Sequence, residues 1–246
     1  MQHYLAPLLK PQSIALVGAS DQSGSLGRTV YENLLAGDFK GDLYAVNPNH
    51  RKVFGRRAYS TLGAIGKPVD LAIIAAPPSA VPGILDDAKA RLRTAALMTF
   101  PDTEDPKVGS GWRRDVAKIA KKRGVRIVGP GAFGVIRTDI GLNATFCAPT
   151  ALPGRLALVA QSGAVCTAML DFAAPMQIGF STVISLGGGI DIGFGELLDA
   201  LVQDPVTDGI LLYVESVGDA RTFLSALRAA ARTKPVVVLK AGRSRE

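Results

Sequence analysis

The residues best suited to chemistry lie in SIALVGASDQSGSLGR, Ser13 to Arg28. Gly18, Ala19, Ser20, Gly24, Ser25 and Gly27 form a loop of small residues there. The apolar run Ile14–Val17 precedes it, and a helical pattern (Leu26, Val30, Leu34, Leu35) follows. A strand, a small-residue loop and a helix N-terminus make an anion site. Glycine admits close backbone approach, loop N–H groups point inward, and the helix dipole favours negative charge. Arg28 adds a candidate charge-assisted contact to phosphate. The loop departs from the dinucleotide fingerprint, because Ser20 stands where G-x-G-x-x-G needs its second glycine. The next strand, Leu43–Val46, ends in Asn47-Pro48 instead of the acidic residue that takes a ribose hydroxyl. A phosphate-bearing ligand other than NAD is expected. Valine at Gly18 or Gly24 is predicted to weaken its binding without unfolding the protein.

A second anion candidate follows in LVAQSGAVCTAML. Leu156–Ala160 reads as a strand, Gln161-Ser162-Gly163 as a turn and Ala164 onward as a helix. Ser162 either caps that helix or donates to an oxyanion, and spacing alone leaves both open. A third glycine cluster, Gly187-Gly188-Gly189, follows the strand Thr182–Ser185. His3 and His50 are the two histidines; neither lies near Ser162 in sequence. Cys147 and Cys166 lack CxxC spacing and His or Cys neighbours, so no metal site or disulfide framework is expected.

Positioning these loops requires alternating strands and helices, and the pattern supplies them. Apolar runs at Ile14–Val17, Leu43–Val46, Leu71–Ala75, Ala95–Thr99, Arg126–Val128, Leu156–Ala160, Thr182–Ser185, Gly209–Val214 and Pro235–Lys240 read as strands. Gly27–Ala36, Ala80–Arg91, Val165–Ala174, Phe194–Val202 and Ala220–Ala231 read as helices. The alternation predicts an α/β fold with parallel sheets covered by helices. Periodicity fails over NATFCAPTALPGR, which predicts two domains, 1–148 and 149–246.

Of the 246 residues, 48% are apolar and 20% charged, with net charge +7. Residues 1–150 carry 20 Lys+Arg against 12 Asp+Glu, and residues 151–246 carry 8 against 9. The excess lies at Arg51, Lys52, Arg56 and Arg57 and in a helix near Gly111–Arg123, read as a solvated face. No aromatic-interleaved basic stripe accompanies it, so a polyanionic small ligand is expected and nucleic acid is not. No apolar run approaches the length of a membrane span, and the N-terminus lacks a secretory pattern. A cytoplasmic protein is expected.

Taken in order, SIALVGAS, YAVNP, VDLAIIAAPPSAV, GVRIVGPGAFG, GLNATF, LVAQSGAV, DPVTDGILLYVES and KPVVVLKAGRS carry a family resemblance over essentially the whole chain. The chain resembles the α-subunit-like half of NDP-forming acyl-CoA synthetases, the superfamily of succinyl-CoA synthetase. It is also similar to the corresponding region of bacterial protein lysine acetyltransferases. The resemblance implies a Rossmann-like CoA-binding domain followed by a flavodoxin-like succinyl-CoA-synthetase-type domain. The loop from Gly18, Ala19 and Ser20 to Gly27 would hold the phosphates of CoA or acyl-CoA. Val46, Asn47 and Pro48 would flank the adenosine, Ala76, Pro77 and Pro78 would line the pantetheine path, and Gly129 and Pro130 would lie near the thiol. Ser162 and Gly163 would hold phosphate, and Glu215 matches the carboxylate that meets a phosphohistidine.

Two positions depart from the family pattern. Gly131-Ala132 replaces the usual Asn and Cys or Ser after Gly-Pro, and Gly187-Gly188 replaces Gly-Asn. Neither histidine matches the family's phosphohistidine, which would follow AGRS. The expectation is the N-terminal part of a longer, oligomeric protein that joins CoA to a small carboxylic acid. ATP or ADP would be handled by an ATP-grasp domain or subunit outside this sequence, and the chain alone would be inactive. The alternative implied by the resemblance is a CoA- or acyl-CoA-sensing module of a protein lysine acetyltransferase.

Overall fold

The structure, a computed structural model, describes residues 3–89, 91–147 and 151–242. The first part of the chain runs α1 (Ala6–Leu9), β1 (Ser13–Val17), α2 (Leu26–Ala36), β2 (Asp42–Val46), β3 (Lys52–Val53) and β4 (Arg56–Tyr59). It continues through β5 (Val69–Ile74), α3 (Val81–Asp87), β6 (Leu92–Leu97), α4 (Pro106–Arg123) and β7 (Arg126–Val128). These strands form one sheet in the order β3-β4-β2-β1-β5-β6-β7. β1 is buried along its whole length and pairs in parallel with β2 on one side and β5 on the other. A continuously apolar run is what a strand covered on both faces requires.

The second part runs β8 (Gly134–Arg137), β9 (Leu142–Thr145), β10 (Pro153–Ala160), α5 (Gly163–Ala173), β11 (Phe180–Ser185), α6 (Phe194–Gln203), β12 (Gly209–Val214), α7 (Ala220–Ala231) and β13 (Val236–Lys240). Its sheet order is β13-β12-β10-β11-β8-β9, parallel through β13–β11 and antiparallel where β8 meets β11 and β9. Sheet membership therefore changes before Gly134, ahead of the boundary expected at 148, and residue 148 lies outside the described residues. The β8–β9 hairpin is stabilised by long-range pairing with β11, which local periodicity does not report.

One apolar core runs between the sheets. Leu16, Val30 and Leu34 from the first part belong to the same buried cluster as Val135, Ala144, Leu197 and Ile210 from the second. α2 carries the contact: Asn33 Nδ2 donates to the carbonyls of Thr145 (2.8 Å) and Cys147 (2.9 Å). The basic helix α4 behaves as a solvated element. Asp105 caps it, Val116 and Ala120 are buried, and Lys121, Lys122 and Arg123 lie in its last turn, where cations complement the dipole.

At the far end of the second sheet Arg137 is fully buried. Its guanidinium donates to Asp139 (2.9 Å), Thr182 Oγ1 (3.0 Å) and Asp204 Oδ2 (2.8 Å). Asp204 also accepts from Thr207 Oγ1 at 2.8 Å and faces Lys10 Nζ at 3.4 Å. Burial alone would push the Asp204 carboxyl up, but bonds and charge from Arg137, then Thr207 and Lys10, outweigh it and hold it below the usual carboxylate value. A depressed carboxyl stabilises the fold above its unfolded pKa of about 3.9, and that contribution is lost as pH falls through the lower folded value. Asp204→Asn should therefore cost about 1–3 kcal/mol at pH 7 by removing the more deeply buried of the two carboxylates that pair with Arg137, Asp139 remaining as the other. The difference from the parent, measured by urea denaturation, should shrink as pH drops below about 4. An equal deficit at pH 3 and pH 7 would refute the ionic account.

Candidate functional site

In a parallel sheet the loops at the C-terminal strand ends share one edge, and ligands bind where the chain departs to opposite sides. β1 occupies that point, between β2 and β5. Gly18 N donates to Val46 O and Ala75 N to Val17 O, both at 2.9 Å, so three strand ends lie side by side. Gly18 has φ +90°, and a Cβ on it would lie 2.6 Å from Ala75 O. A Cβ on Gly27 would lie 1.8 Å from Gly18 O. The first turn of α2 thus presses backbone to backbone against the end of β1. Ser25 caps α2 by accepting from Arg28 N at 3.2 Å, leaving the N–H groups of Leu26 and Gly27 ahead of the first intrahelical bonds. Ser20 Oγ accepts from Gln22 N, and Gly24 has φ +75° with open space around it.

The other residues singled out in the first part take varied places. Arg28 donates to Glu32 Oε1 (2.8 Å) and to the Asp21 carbonyl (2.7 Å), so its guanidinium is already engaged beside the loop. Asn47 Nδ2 donates to Ala19 O and its Oδ1 accepts from Asn49 N, both at 2.8 Å. This amide braces the glycine loop after β1 against the end of β2. Val46 is buried and Pro48 exposed. Past β5, Ala76 is buried with its carbonyl accepting from Thr99 Oγ1 at 2.7 Å; Pro77 is exposed, and the Pro78 carbonyl accepts from Trp112 Nε1 at 2.8 Å. Gly129 and Pro130, buried past β7, accept from Ile190 N (3.1 Å) and Gly188 N (2.7 Å) of the loop after β11.

That loop connects the two sites. Leu186 N donates to Ala160 O at 2.7 Å, setting the glycine turn beside the end of β10, where Gln161-Ser162-Gly163 leads into α5. Ser162 Oγ accepts from Val165 N at 3.3 Å, so the capping role is present. A Cβ on Gly163 would come within 3.2 Å of Phe133 Cβ. Glu215, at the end of β12, is exposed, and its backbone N–H donates to Gln161 Oε1 at 2.6 Å. Ser216 N does the same at 2.9 Å, and Gln161 Nε2 returns a bond to Ser216 O at 3.0 Å.

Three features lay beyond sequence reasoning. Gln161 ties the Ser162 and Glu215 loops together, its only sequence signal being a polar residue at the end of an apolar strand. The Ser185 hydroxyl, at the end of β11 opposite Ala160, is buried with no hydrogen-bond partner among the described residues. At the position where the family amide is missing, the Arg113 guanidinium occupies the space, 2.9 Å from where a Cβ on Gly188 would lie. Cys166, in the first turns of α5, is no substitute nucleophile: burial, with a smaller contribution from Cys147, pushes its thiol up to about 12. His3 bonds Asp199 at 3.0 Å and His50 stands in the loop after β2, so neither joins Ser162. Among the described residues no group of His, Cys, Asp and Glu could hold a metal, and no helix is long and apolar enough to cross a membrane.

Comparison with known proteins bears on the same two halves. Residues 12–138 match the family described as CoA binding domain, and residues 153–246 match the succinyl-CoA ligase like flavodoxin domain. An ADP-forming acetate–CoA ligase of Archaeoglobus fulgidus is 37% identical over 96% of this chain and 34% of that protein. The α subunit of an ADP-forming acetate–CoA ligase of Pyrococcus furiosus is 35% identical over 98% of this chain and 53% of its own length. A solved dinucleotide-forming acetyl-CoA synthetase of Ca. Korarchaeum cryptofilum, in complex with phosphate and ADP, superposes with a TM-score of 0.91. It shares 32% identity over 98% of this chain and 52% of that one. The chain thus spans between a third and about half of the length of these relatives.

The glycine geometry separates substitutions that looked equivalent in the sequence. Valine at Gly18 does not leave the fold intact, because its side chain would drive into the Ala75 carbonyl and part β1 from β5. Gly27→Ala should likewise lower Tm sharply. Gly24→Ala meets no neighbour and bears only the positive-φ cost of about 1–2 kcal/mol, a few degrees in Tm. Thermal melts of Gly24→Ala and Gly27→Ala check this; equal Tm values would contradict the close packing of α2 on β1.

Proposed function

This chain belongs to the family of NDP-forming acyl-CoA synthetases, and from that membership we propose that it binds CoA in its first half and a phosphoryl group in its second, as part of a longer acid–CoA ligase. The observation that carries the proposal is the backbone-to-backbone packing of α2 on β1 at the switch point. Gly27 and Gly18 let the first turn of α2 sit directly against the end of β1, which sets the N–H groups of Leu26 and Gly27 at the strand ends where a phosphate would lie. On this reading the CoA pyrophosphate sits at Gly18–Gly27, the adenosine beside Val46–Pro48, and the pantetheine along Ala76–Pro78. The thiol then arrives near Gly129–Pro130. The Gly188–Pro130 bond brings that point to the loop beside Ala160, so thiol and phosphoryl group would converge across the junction of the two sheets.

In the second half the N-terminus of α5 is the phosphoryl subsite, with Ser162 and Gly163 lining it and Glu215 reached through Gln161. Imidazole chemistry would come from a histidine outside this sequence, and nucleotide from an ATP-grasp domain or subunit. The chain's own residues bind, orient and exclude water; they supply no phosphorylated nucleophile. The matching relatives are acyl-CoA ligases, and the alternative of a sensing module in a lysine acetyltransferase gains no support from them.

Calorimetric titration tests the proposal: CoA and acetyl-CoA should bind, NAD should not, and the chain alone should form no acyl-CoA with ATP. Comparable NAD affinity, or no CoA binding, would overturn it. The orphan Ser185 hydroxyl gives a second test. An unpaired buried hydroxyl costs about 1–3 kcal/mol, so Ser185→Ala should raise Tm by a few degrees. If that hydroxyl is kept for the phosphoryl group, the same variant should bind inorganic phosphate more weakly. Unchanged phosphate affinity would assign Ser185 to packing.

A further inference from the structure

Arg113, at the junction of the two sheets, forms no ion pair among the described residues, Asp102 and Glu104 of the loop before α4 included. Its guanidinium reaches from α4 over the glycine turn after β11. A Cβ on Gly188 would lie 2.9 Å from its Nη1 and 3.3 Å from its Cζ and Nη2, so the side chain fits there because Gly188 is bare. The other charges around this turn are engaged or turned away. Asp191 accepts from Arg126 Nε (2.9 Å) and Ile127 N (2.8 Å), and Glu196 from Arg126 Nη2 (2.6 Å) and Gly193 N (3.1 Å). Asp105 caps α4 through Lys107 N. On α4 itself the positions three and four residues from Arg113 are Gly109, Ser110, Val116 and Ala117, whereas Arg114 and Asp115 stand at spacings that do not face it.

The position of this cation says what it would meet. Trp112, the preceding residue on α4, donates from Nε1 to Pro78 O at 2.8 Å and shares an apolar cluster with Ile190. The turn that carries Ile190 is tied to the end of β7, because Gly188 N donates to Pro130 O at 2.7 Å and Ile190 N to Gly129 O at 3.1 Å. One turn of α4 thus touches both ends of the proposed pantetheine path. Trp112 contacts its wall at Pro78, and Arg113 stands beside Gly129–Pro130, where the thiol would arrive. The two histidines lie elsewhere and Arg126 is held by two carboxylates, so Arg113 is the unpaired cation at that end among these groups.

We propose that Arg113 holds the sulfur of bound CoA as a thiolate. This rests on the proposed CoA site and goes beyond it by naming the group that readies the thiol to be joined to an acid. The thiolate, not the thiol, is the nucleophile, and an unperturbed thiol is mostly protonated at neutral pH. A cation beside the sulfur favours its charged form. The S–H bond breaks, its electron pair stays on sulfur and the proton passes to water. A guanidinium suits the task because it remains charged at every pH at which a thiol titrates.

The test records the ultraviolet absorbance of the CoA thiolate in the bound complex from neutral to alkaline pH, in the parent, Arg113→Gln and Arg113→Lys. The spectrum of the same complex with S-methyl-CoA is subtracted, which also cancels the two buried cysteines. Arg113 is exposed, so both variants should melt as the parent does. In the parent the bound thiol should titrate at least about one pH unit below free CoA, roughly tenfold more thiolate at neutral pH. Arg113→Gln should return it to the behaviour of free CoA while binding S-methyl-CoA as tightly as the parent, and Arg113→Lys should keep most of the effect. A bound thiol that titrates like free CoA in the parent overturns this inference and leaves the CoA site standing. An effect that survives in Arg113→Gln, or is lost equally in Arg113→Lys, shows that the charge at this position is not responsible and also overturns it. Failure of both CoA and S-methyl-CoA to bind the parent would remove the CoA site and this inference with it.

Discussion

The molecule depends on how closely its backbone can approach itself at the junction of the two sheets. Gly129 and Pro130, at the end of β7, receive hydrogen bonds from Ile190 and Gly188, and Ile192 N donates to Ile127 O at 3.0 Å. A Cβ on Gly187 would lie 2.2 Å from Pro130 O, so the contact exists only because that position is bare. Arg126 closes the junction from outside, with bonds to Asp191 at 2.9 Å and Glu196 at 2.6 Å. The loop of one sheet is thus an added edge on the other, and the C-terminal ends of both sheets face a common region.

Rigid placement at that junction has support at the opposite ends of the strands. The Arg137–Asp204–Asp139 network is buried, and a buried charge is tolerable only when its donors and acceptors are satisfied. Thr182, Thr207 and Ser181 complete it: Ser181 Oγ and Thr207 Oγ1 lie 2.7 Å apart, and Thr207 bonds Asp204. Lys10 brings the N-terminal segment onto the same carboxylate. The shared apolar core between α2 and the second sheet then holds the sheets in one arrangement, leaving the glycine loops as the places where side chains are absent by necessity.

Charge is distributed in keeping with this division. Arg123, Arg126, Arg137 and Arg155 are neutralised by carboxylates, whereas Arg51, Lys52, Arg56 and Arg57 form no ion pair among the described residues. An unpaired cation in an exposed cleft remains hydrated and costs little in the free protein, so it is available to an anion. At the second site the polarity is supplied by backbone and by neutral side chains, Gln161, Ser162 and Ser185.

The alternation of apolar runs with helical patterns determined the α/β class from the sequence alone, because strand and helix burial are set by local periodicity. The same holds for the glycine loop after β1, which depends on backbone conformations that only certain residue types adopt, whereas for Ser162 spacing left cap and oxyanion contact open and the bond from Val165 N supplied the cap. Family motifs, read in order, carried the division into a CoA-binding and a flavodoxin-like half. The tertiary structure decided what depends on distant partners. Pairing with β11 drew β8, and β9 through it, into the second sheet, although β8 precedes the aperiodic stretch and β9 runs into its start. Asn47 and Arg28 looked free to face a ligand and are engaged by Ala19, Glu32 and Asp21. Arg113, which reads as one charge on a solvated helix face, lies over Gly188 from another sheet's loop. Gly18 and Gly24 look alike as letters. Ala75 stands against one and nothing against the other, because packing depends on neighbours that the local sequence does not contain.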